Sequence, residues 1–332
     1  MGLWFGVLGP LQVARDGQAV RLGTLKQRLL LTVLLLERNR TVSLDDLVGA
    51  LWEDRPPKSA VFNVRTYVNQ LRQALRDPRE EKARESREEK ARESREEKTR
   101  KGRARSPQLR IVGRRPGYSL VVDSGELDSV EFGRLLREGR AELARRAPRQ
   151  ALRRLSEALA LWRGHPAEDV PRTLAVAGWL DSLEEQRCLA LEAHAAARLT
   201  LGEHDTLITD LRDLLAVHPT RERLWGHLML ALYRSGDVAA ALSAYTAARR
   251  SLTERLGVDP GADLVALHGR MLARDPVLDL GAPGAPAALG APEAVGAAGP
   301  LAPGRGRPLH RGHRGHGADR DRHRGRREHG RH

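Results

Sequence analysis

The sequence predicts an α+β domain of three helices framed by short strands, then an all-α helical-repeat domain, then a tail that does not fold. Three observations predict it. Near Leu25 the apolar pattern changes from short alternating runs to helical spacing. From Leu191 and again from Trp225, 34 residues apart, helical positions recur at matching offsets. Beyond Pro276 the composition falls to Ala, Gly and Pro, then Arg, Gly and His, and no periodicity survives.

The first elements read as strands. LWFGVL at Leu3–Leu8, Leu11–Ala14 and Ala19–Leu22 are separated by Gly-Pro and Asp-Gly, both turn signals. From Leu25, LKQRLLLTVLLLERN is apolar nearly all round, as a buried helix is. Ser43 is placed to cap a second helix, with Asp45 and Asp46 in its first turn; Leu44, Leu47, Val48 and Leu51 carry it to Trp52. Pro56 and Pro57 follow. A third helix, SAVFNVRTYVNQLRQALRD, ends at Pro78, with Val61, Val64, Val68, Leu71 and Leu75 stepping by three and four as its buried stripe.

Residues 79–98 repeat an octapeptide, REEKARES twice and then REEK, with eight basic and eight acidic residues. Nothing larger than Ala is apolar there, so a solvated charged insertion over 79–105 is expected. QLRIVGRRPGYSLVV then reads as two strands around a Gly/Pro turn.

From Leu127 to about Asp275 the signal is helical throughout. Trp225, Leu228, Leu232, Ala241, Tyr245 and Ala248 fall at the offsets of a tetratricopeptide unit. Leu191, His194, Arg198, Leu207, Leu211 and Leu214 fill the same slots one unit earlier, with Pro219 closing that unit. Gly139, Ala151, Leu155 and Ala158 mark a weaker third copy.

Length and charge agree with this division. The 332 residues suffice for two domains and more, at roughly 100–200 residues each. The formal net charge is +14, of which residues 1–125 carry about +10, residues 126–276 about −1 and the remainder about +5. A basic front suits a polyanionic partner, and a neutral body suits a protein one. The single cysteine, Cys188, excludes an internal disulfide and a cysteine-based zinc site, and reads as core filler. The start, MGLWFGVLGP, has no charged segment before an apolar run, so no signal peptide is read. The longest apolar stretch, Leu29 to Leu36, is broken by Thr32 and falls short of the about 20 residues that span a bilayer. A soluble, cytoplasmic protein without membrane contact is expected.

With the Val/Leu stripe turned inward, the third helix presents Ser59, Phe62, Asn63, Thr66, Asn69, Gln70 and Gln73, with Arg65, Arg72 and Arg76 on one flank. Asn and Gln pair bidentately with adenine, Thr meets a thymine methyl, and Arg holds phosphates. Taken alone, a polar arc is more often an ordinary solvated face. Two preceding helices and a following hairpin with Arg114 and Arg115 at its tip favour the recognition-helix reading, since basic tips enter the minor groove. Tyr118 is expected to pack against the helices.

The order of strands, three helices and hairpin, with TYVNQLRQAL and RPGYSL, resembles the OmpR-type winged helix-turn-helix. FGVLGPLQV, RLGTLKQRLLLTVLLL, DDLVGALW, PPKSAVFNVRTYVNQLRQAL and RRPGYSL resemble segments of the Streptomyces antibiotic regulatory proteins, the SARP family. ALALWRG and RERLWGHLMLALYRSGDVAAALSAY are similar to its bacterial transcriptional activator domain. The resemblance spans about residues 1–275 and divides the chain into a winged-helix head, 1–125, a tetratricopeptide-like body, 126–276, and a disordered tail, 277–332. It implies an activator that binds double-stranded DNA at tandem direct repeats in promoters, as a homodimer on one DNA face. The partner would be RNA polymerase with its sigma factor, and the genes those of secondary-metabolite (antibiotic) clusters. Ser59, Asn63, Arg65, Thr66, Asn69, Gln70, Arg72, Gln73, Arg76, Arg114 and Arg115 are the expected DNA-binding residues.

Three features depart from the family pattern: Gln70 and Gln73, where Arg is frequent, the octapeptide insertion, and the tail. The tail is open to two readings, a native disordered segment or a shifted reading frame. Its histidines, including His310, His313, His316 and His323, lack fixed geometry for a metal site. Without a phosphate loop, a nucleophile elbow or HExxH, no catalytic residue and no cofactor are expected; His165 and Asp169 read as a loop pair. The alternatives to the activator are a repeat scaffold whose head binds only protein, and a damaged regulator that binds DNA without activating.

Overall fold

A computed structural model describes residues 2–76 and 110–279. The octapeptide repeat and the tail from 280 onward lie outside the described residues. Strands β1 (Leu3–Gly6), β2 (Gln12–Arg15) and β3 (Gln18–Ala19) form one antiparallel sheet in that order. Arg15 pairs with Gln18, so Asp16 and Gly17, at φ 49° and 81°, are the tight turn the Asp-Gly pair announces. β1 is shorter than its apolar run: Val7 and Leu8 leave the sheet to hydrogen-bond elsewhere.

Helix α1 (Leu25–Leu36) is buried continuously from Leu29 to Leu35, as its apolar girth requires. Ser43 ends a two-residue strand, β4 (Val42–Ser43), and opens α2 (Leu44–Trp52), its hydroxyl accepting from the Asp46 N–H at 3.0 Å. β4 is too short to show in the sequence. α2 stops before the prolines, at Glu53 with φ 51°. Helix α3 (Ala60–Ala74) buries Ala60, Val64, Val68 and Leu71, with Leu75 just beyond it. Val61, expected in the stripe, is instead 40% exposed. Stripes beginning at 60 or at 61 both step by three and four, and the roll of the helix selects Ala60. Strands β5 (Ile111–Arg114) and β6 (Gly117–Leu120) complete a second sheet of order β4-β6-β5. Three helices with this hairpin folded back on β4 make a winged helix.

The body is a series of antiparallel helices: α4 (Asp128–Ala144), α5 (Pro148–Leu159), α6 (Leu174–Leu201), α7 (His204–Val217), α8 (Glu222–Arg234), α9 (Val238–Leu256) and α10 (Ala262–Leu272). The repeat slots are packing positions. Ala151, Leu155, Ala158, Leu207, Leu211, Ala241 and Ala248 are buried. Gly139 admits α5, since a Cβ there would lie 2.6 Å from Leu155 Cγ. Pro219 closes its unit through its carbonyl, which accepts from Trp225 Nε1 at 2.9 Å and Ser251 Oγ at 2.8 Å. The folded body runs slightly past its expected end. A 3-10 turn at Pro276–Leu278, capped by Asp275, buries Leu278, whose carbonyl accepts from Arg234 Nε at 2.8 Å.

One core cluster joins the winged helix to α4, α5 and most of α6, and a second fills α7–α10. Three carboxylates stitch the first half together. Buried Asp128 accepts from Val7 N at 2.9 Å and Leu8 N at 3.0 Å, and pairs with Arg163 at 3.1 Å. Asp169 accepts from Leu11 N at 2.6 Å and from Arg28. Glu126 pairs with Arg110 at 2.9 Å through both oxygens. Asp169, on the α5–α6 loop as read, is thus a strut from that loop to α1 rather than the partner of His165. His165 contacts Glu184 at 2.8 Å instead.

His227 on α8 is 2% exposed, and neither ring nitrogen has a hydrogen-bond partner among the described residues. Burial, with Arg223 nearby, pushes its pKa down from 6.5 to about 4. The unfolded chain therefore binds a proton there that the folded one refuses, and stability falls as the pH drops from 6.5 towards 4. The loss approaches about 3 kcal/mol, at about 1.4 kcal/mol per pH unit. His227→Leu is expected to remove that slope while leaving stability at pH 7.5 unchanged or higher. Urea unfolding of both proteins across this range measures it; parallel pH profiles would refute the assignment.

Candidate nucleic-acid interface

At about 3.6 residues per turn, the crest of α3 opposite its buried stripe carries Phe62, Thr66, Asn69 and Gln73. Arg65, Arg72 and Arg76 line one flank; Ser59, Asn63 and Gln70 line the other. Asn63 Nδ2 donates to Ser59 Oγ at 3.2 Å, and Thr66 Oγ1 donates to the Phe62 carbonyl at 3.0 Å. Arg65, Asn69, Gln70, Gln73 and Arg76 are exposed, and Asn63, Thr66 and Arg72 are half-buried.

Two of these side chains are held by the fold. Gln70 accepts from Gln27, whose own carbonyl accepts from Thr24 N at 2.7 Å, so Gln70 is tied to the start of α1. Arg72 spans from helix to hairpin: Nε donates to the Ile111 carbonyl at 2.8 Å, Nη1 reaches Asn69 Oδ1 at 3.4 Å, and the guanidinium lies 5.5 Å from the Tyr118 ring centre. The sequence shows Arg72 on the correct flank but not this strut, because its acceptor is a backbone carbonyl 39 residues away. Tyr118 is half-buried and packs against the core cluster, as read.

The hairpin tip is made by the two residues between β5 and β6, Arg115 and Pro116, with Arg114 pairing with Gly117 across the turn. Arg114 and Arg115 are exposed and, like Arg65, make no ion pair among the described residues. The fold therefore presents a polar helix crest with arginines on one side and a doubly basic tip fixed to the same helix by Arg72. Such a surface suits a groove walled by phosphates.

Residues 127–272 match the bacterial transcriptional activator domain, and residues 17–86 match the C-terminal domain of transcriptional regulatory proteins. The chain is 33% identical to the regulatory protein DnrI of Streptomyces peucetius over 282 residues, covering 85% of this chain and 96% of that one. It belongs to the SARP family. The transcriptional regulatory protein EmbR of Mycobacterium tuberculosis is 34% identical over 276 residues, 82% of this SARP chain and 64% of EmbR. This chain thus matches just under two thirds of EmbR's length. The structure of M. tuberculosis EmbR in complex with a low affinity phosphopeptide superposes with a TM-score of 0.71, at 34% identity, over 82% of this chain and 66% of that one. The matched domains and relatives are named as transcriptional activators and regulators. Among the described residues of this SARP protein, no helix is long and apolar enough to cross a membrane, and no group of His, Cys, Asp and Glu is arranged to hold a metal ion.

Proposed function

We propose that this SARP protein activates transcription by binding double-stranded DNA at tandem direct repeats in promoters. The observation that carries this is the α3 crest with the basic hairpin tip locked beside it by Arg72. Helix α3 enters the major groove, where Thr66, Asn69 and Gln73 face base edges and Gln70 uses the amide hydrogens that Gln27 leaves open. Ser59 and Asn63 approach the backbone at the helix start. Arg65 and Arg76 hold phosphates, Arg72 sets the angle of the wing, and Arg114 and Arg115 reach into the neighbouring minor groove.

The head is residues 1–125, and the body runs from 126 through the turn at Pro276–Leu278. The body steadies the head and contacts RNA polymerase with its sigma factor, and two copies lie side by side on one DNA face. The protein works in the cytoplasm on the nucleoid, and its targets are genes of secondary-metabolite, including antibiotic, biosynthesis.

Chromatin immunoprecipitation of the wild type against a Thr66→Ala/Gln73→Ala double variant tests this. The wild type is expected to give sharp peaks over tandem repeats upstream of a few operons. The variant is expected to lose at least about tenfold occupancy, given about 1–3 kcal/mol per specific base contact. Featureless occupancy, equal in both proteins, would overturn the reading in favour of a protein-binding scaffold.

A further inference from the structure

Phe62 is 70% exposed, more than any other large hydrophobic among the described residues of the head; Leu25 and Val61 follow at 58% and 40%. It has no ring partner among the described residues. It is the third residue of α3 and stands on the crest, one turn before Thr66. The N-terminal residues of a recognition helix are those that reach base edges. Thr66 turns its hydroxyl back to the Phe62 carbonyl, at 3.0 Å, which leaves the methyl as that side chain's remaining group. The crest therefore begins with an apolar pair, ring and methyl, in a face otherwise made of amides.

In the major groove the apolar group on a base edge is the C5-methyl of thymine. We propose that Phe62, with the Thr66 methyl, seats a thymine methyl and so specifies one thymine in each bound repeat. The inference rests on α3 being the recognition helix. It adds a specificity determinant that hydrogen bonding does not supply: the ring rejects cytosine and uracil at that position for want of a methyl.

The test uses the full chain. Duplexes selected by the wild type from a random pool are remade with deoxyuridine in place of each thymine in turn, and binding is measured by fluorescence anisotropy. At one position per repeat the wild type is expected to lose about fourfold in affinity, the factor for one buried methyl. Phe62→Ala is expected to bind the thymine and deoxyuridine duplexes equally at that position. Its own selection should keep every other preferred base. Because the ring is exposed, the variant should keep its melting temperature. If the wild type selects a sequence but no deoxyuridine lowers affinity, or Phe62→Ala keeps the thymine preference, Phe62 does not read the base. Unchanged DNA selection with lost transcription from a bound promoter would overturn the inference by assigning the ring to a protein partner. A wild type that selects no sequence would overturn the recognition-helix reading and this inference together.

Discussion

Asp128→Ala is expected to destabilise the protein by about 3–5 kcal/mol, the cost of removing one partner from a buried ion pair. The Asp128 side chain is fully buried and satisfies three donors: the Val7 and Leu8 backbone N–H groups and Arg163. Truncation strands the two N–H groups, which sit where no water reaches, while Arg163 keeps the Pro10 carbonyl and partial solvent contact. Burial drives the Asp128 pKa up; the Val7, Leu8 and Arg163 hydrogen bonds pull it down without fully offsetting that. The folded state thus holds this proton more tightly than the unfolded one. Stability from this site is highest below the unfolded pKa and declines as pH rises through the folded one, a slope opposite to that of His227. Asp128→Asn relieves the buried charge but turns an NH2 group towards groups that only donate, so it too is expected to destabilise. Denaturant titration followed by tryptophan fluorescence measures both, since the Arg163 guanidinium lies 5.3 Å from the Trp4 ring centre. A shift below about 1 kcal/mol for the Ala variant would mean that the joint between head and body holds without this carboxylate.

That joint was the part of the fold least visible in the sequence. Periodicity reports what lies one turn or one repeat away, so it revealed the girth of α1, the stripe of α3 and the slots at Ala151, Leu155, Ala241 and Ala248. It is silent about an aspartate whose partners are backbone N–H groups about 120 residues earlier. Nothing in the sequence marks Asp128, and Asp169 reads there as half of a loop pair, because both environments exist only after the two halves meet. The interface shows the same boundary. The polar crest and the basic tip follow from helical spacing and a turn signal. The ties that fix Gln70 to Gln27 and Arg72 to Ile111 depend on how the helices and hairpin dock. Val61 marks a narrower limit, where two stripes fit equally and only the packed roll decides.

Gly117→Ala is expected to unseat the wing. Its backbone needs no glycine for torsional reasons; the need is space. A Cβ at Gly117 would lie 1.8 Å from the Val42 carbonyl oxygen and 2.8 Å from Ser43 Cα, and these are backbone atoms that cannot swing aside. Relief requires β4 and β6 to part, losing the pairs Val42 with Tyr118 and Ser43 with Gly117. The cost should reach about 3 kcal/mol, the upper range for overpacking. The effect on DNA follows from position rather than charge. Arg114 and Arg115 remain, but the hairpin that carries them loses its pairing with β4 and is left with the Arg72 tie, the Asn39 N–H bond to the Leu120 carbonyl and the buried Ile111 and Leu120. Affinity for the selected repeat should fall at least about tenfold, and the salt dependence should flatten by about one to two phosphate contacts. Gly49→Ala supplies the control. It lies inside α2, nothing sits within 4 Å of its added Cβ, and it should raise stability by about 0.5–1 kcal/mol without changing DNA binding. If Gly117→Ala instead matches Gly49→Ala in both respects, β4 yields freely and the wing is not anchored by its contact with β4. If it unfolds the hairpin yet leaves affinity and salt slope intact, the arginines of the tip do not touch DNA, and recognition rests on α3 alone.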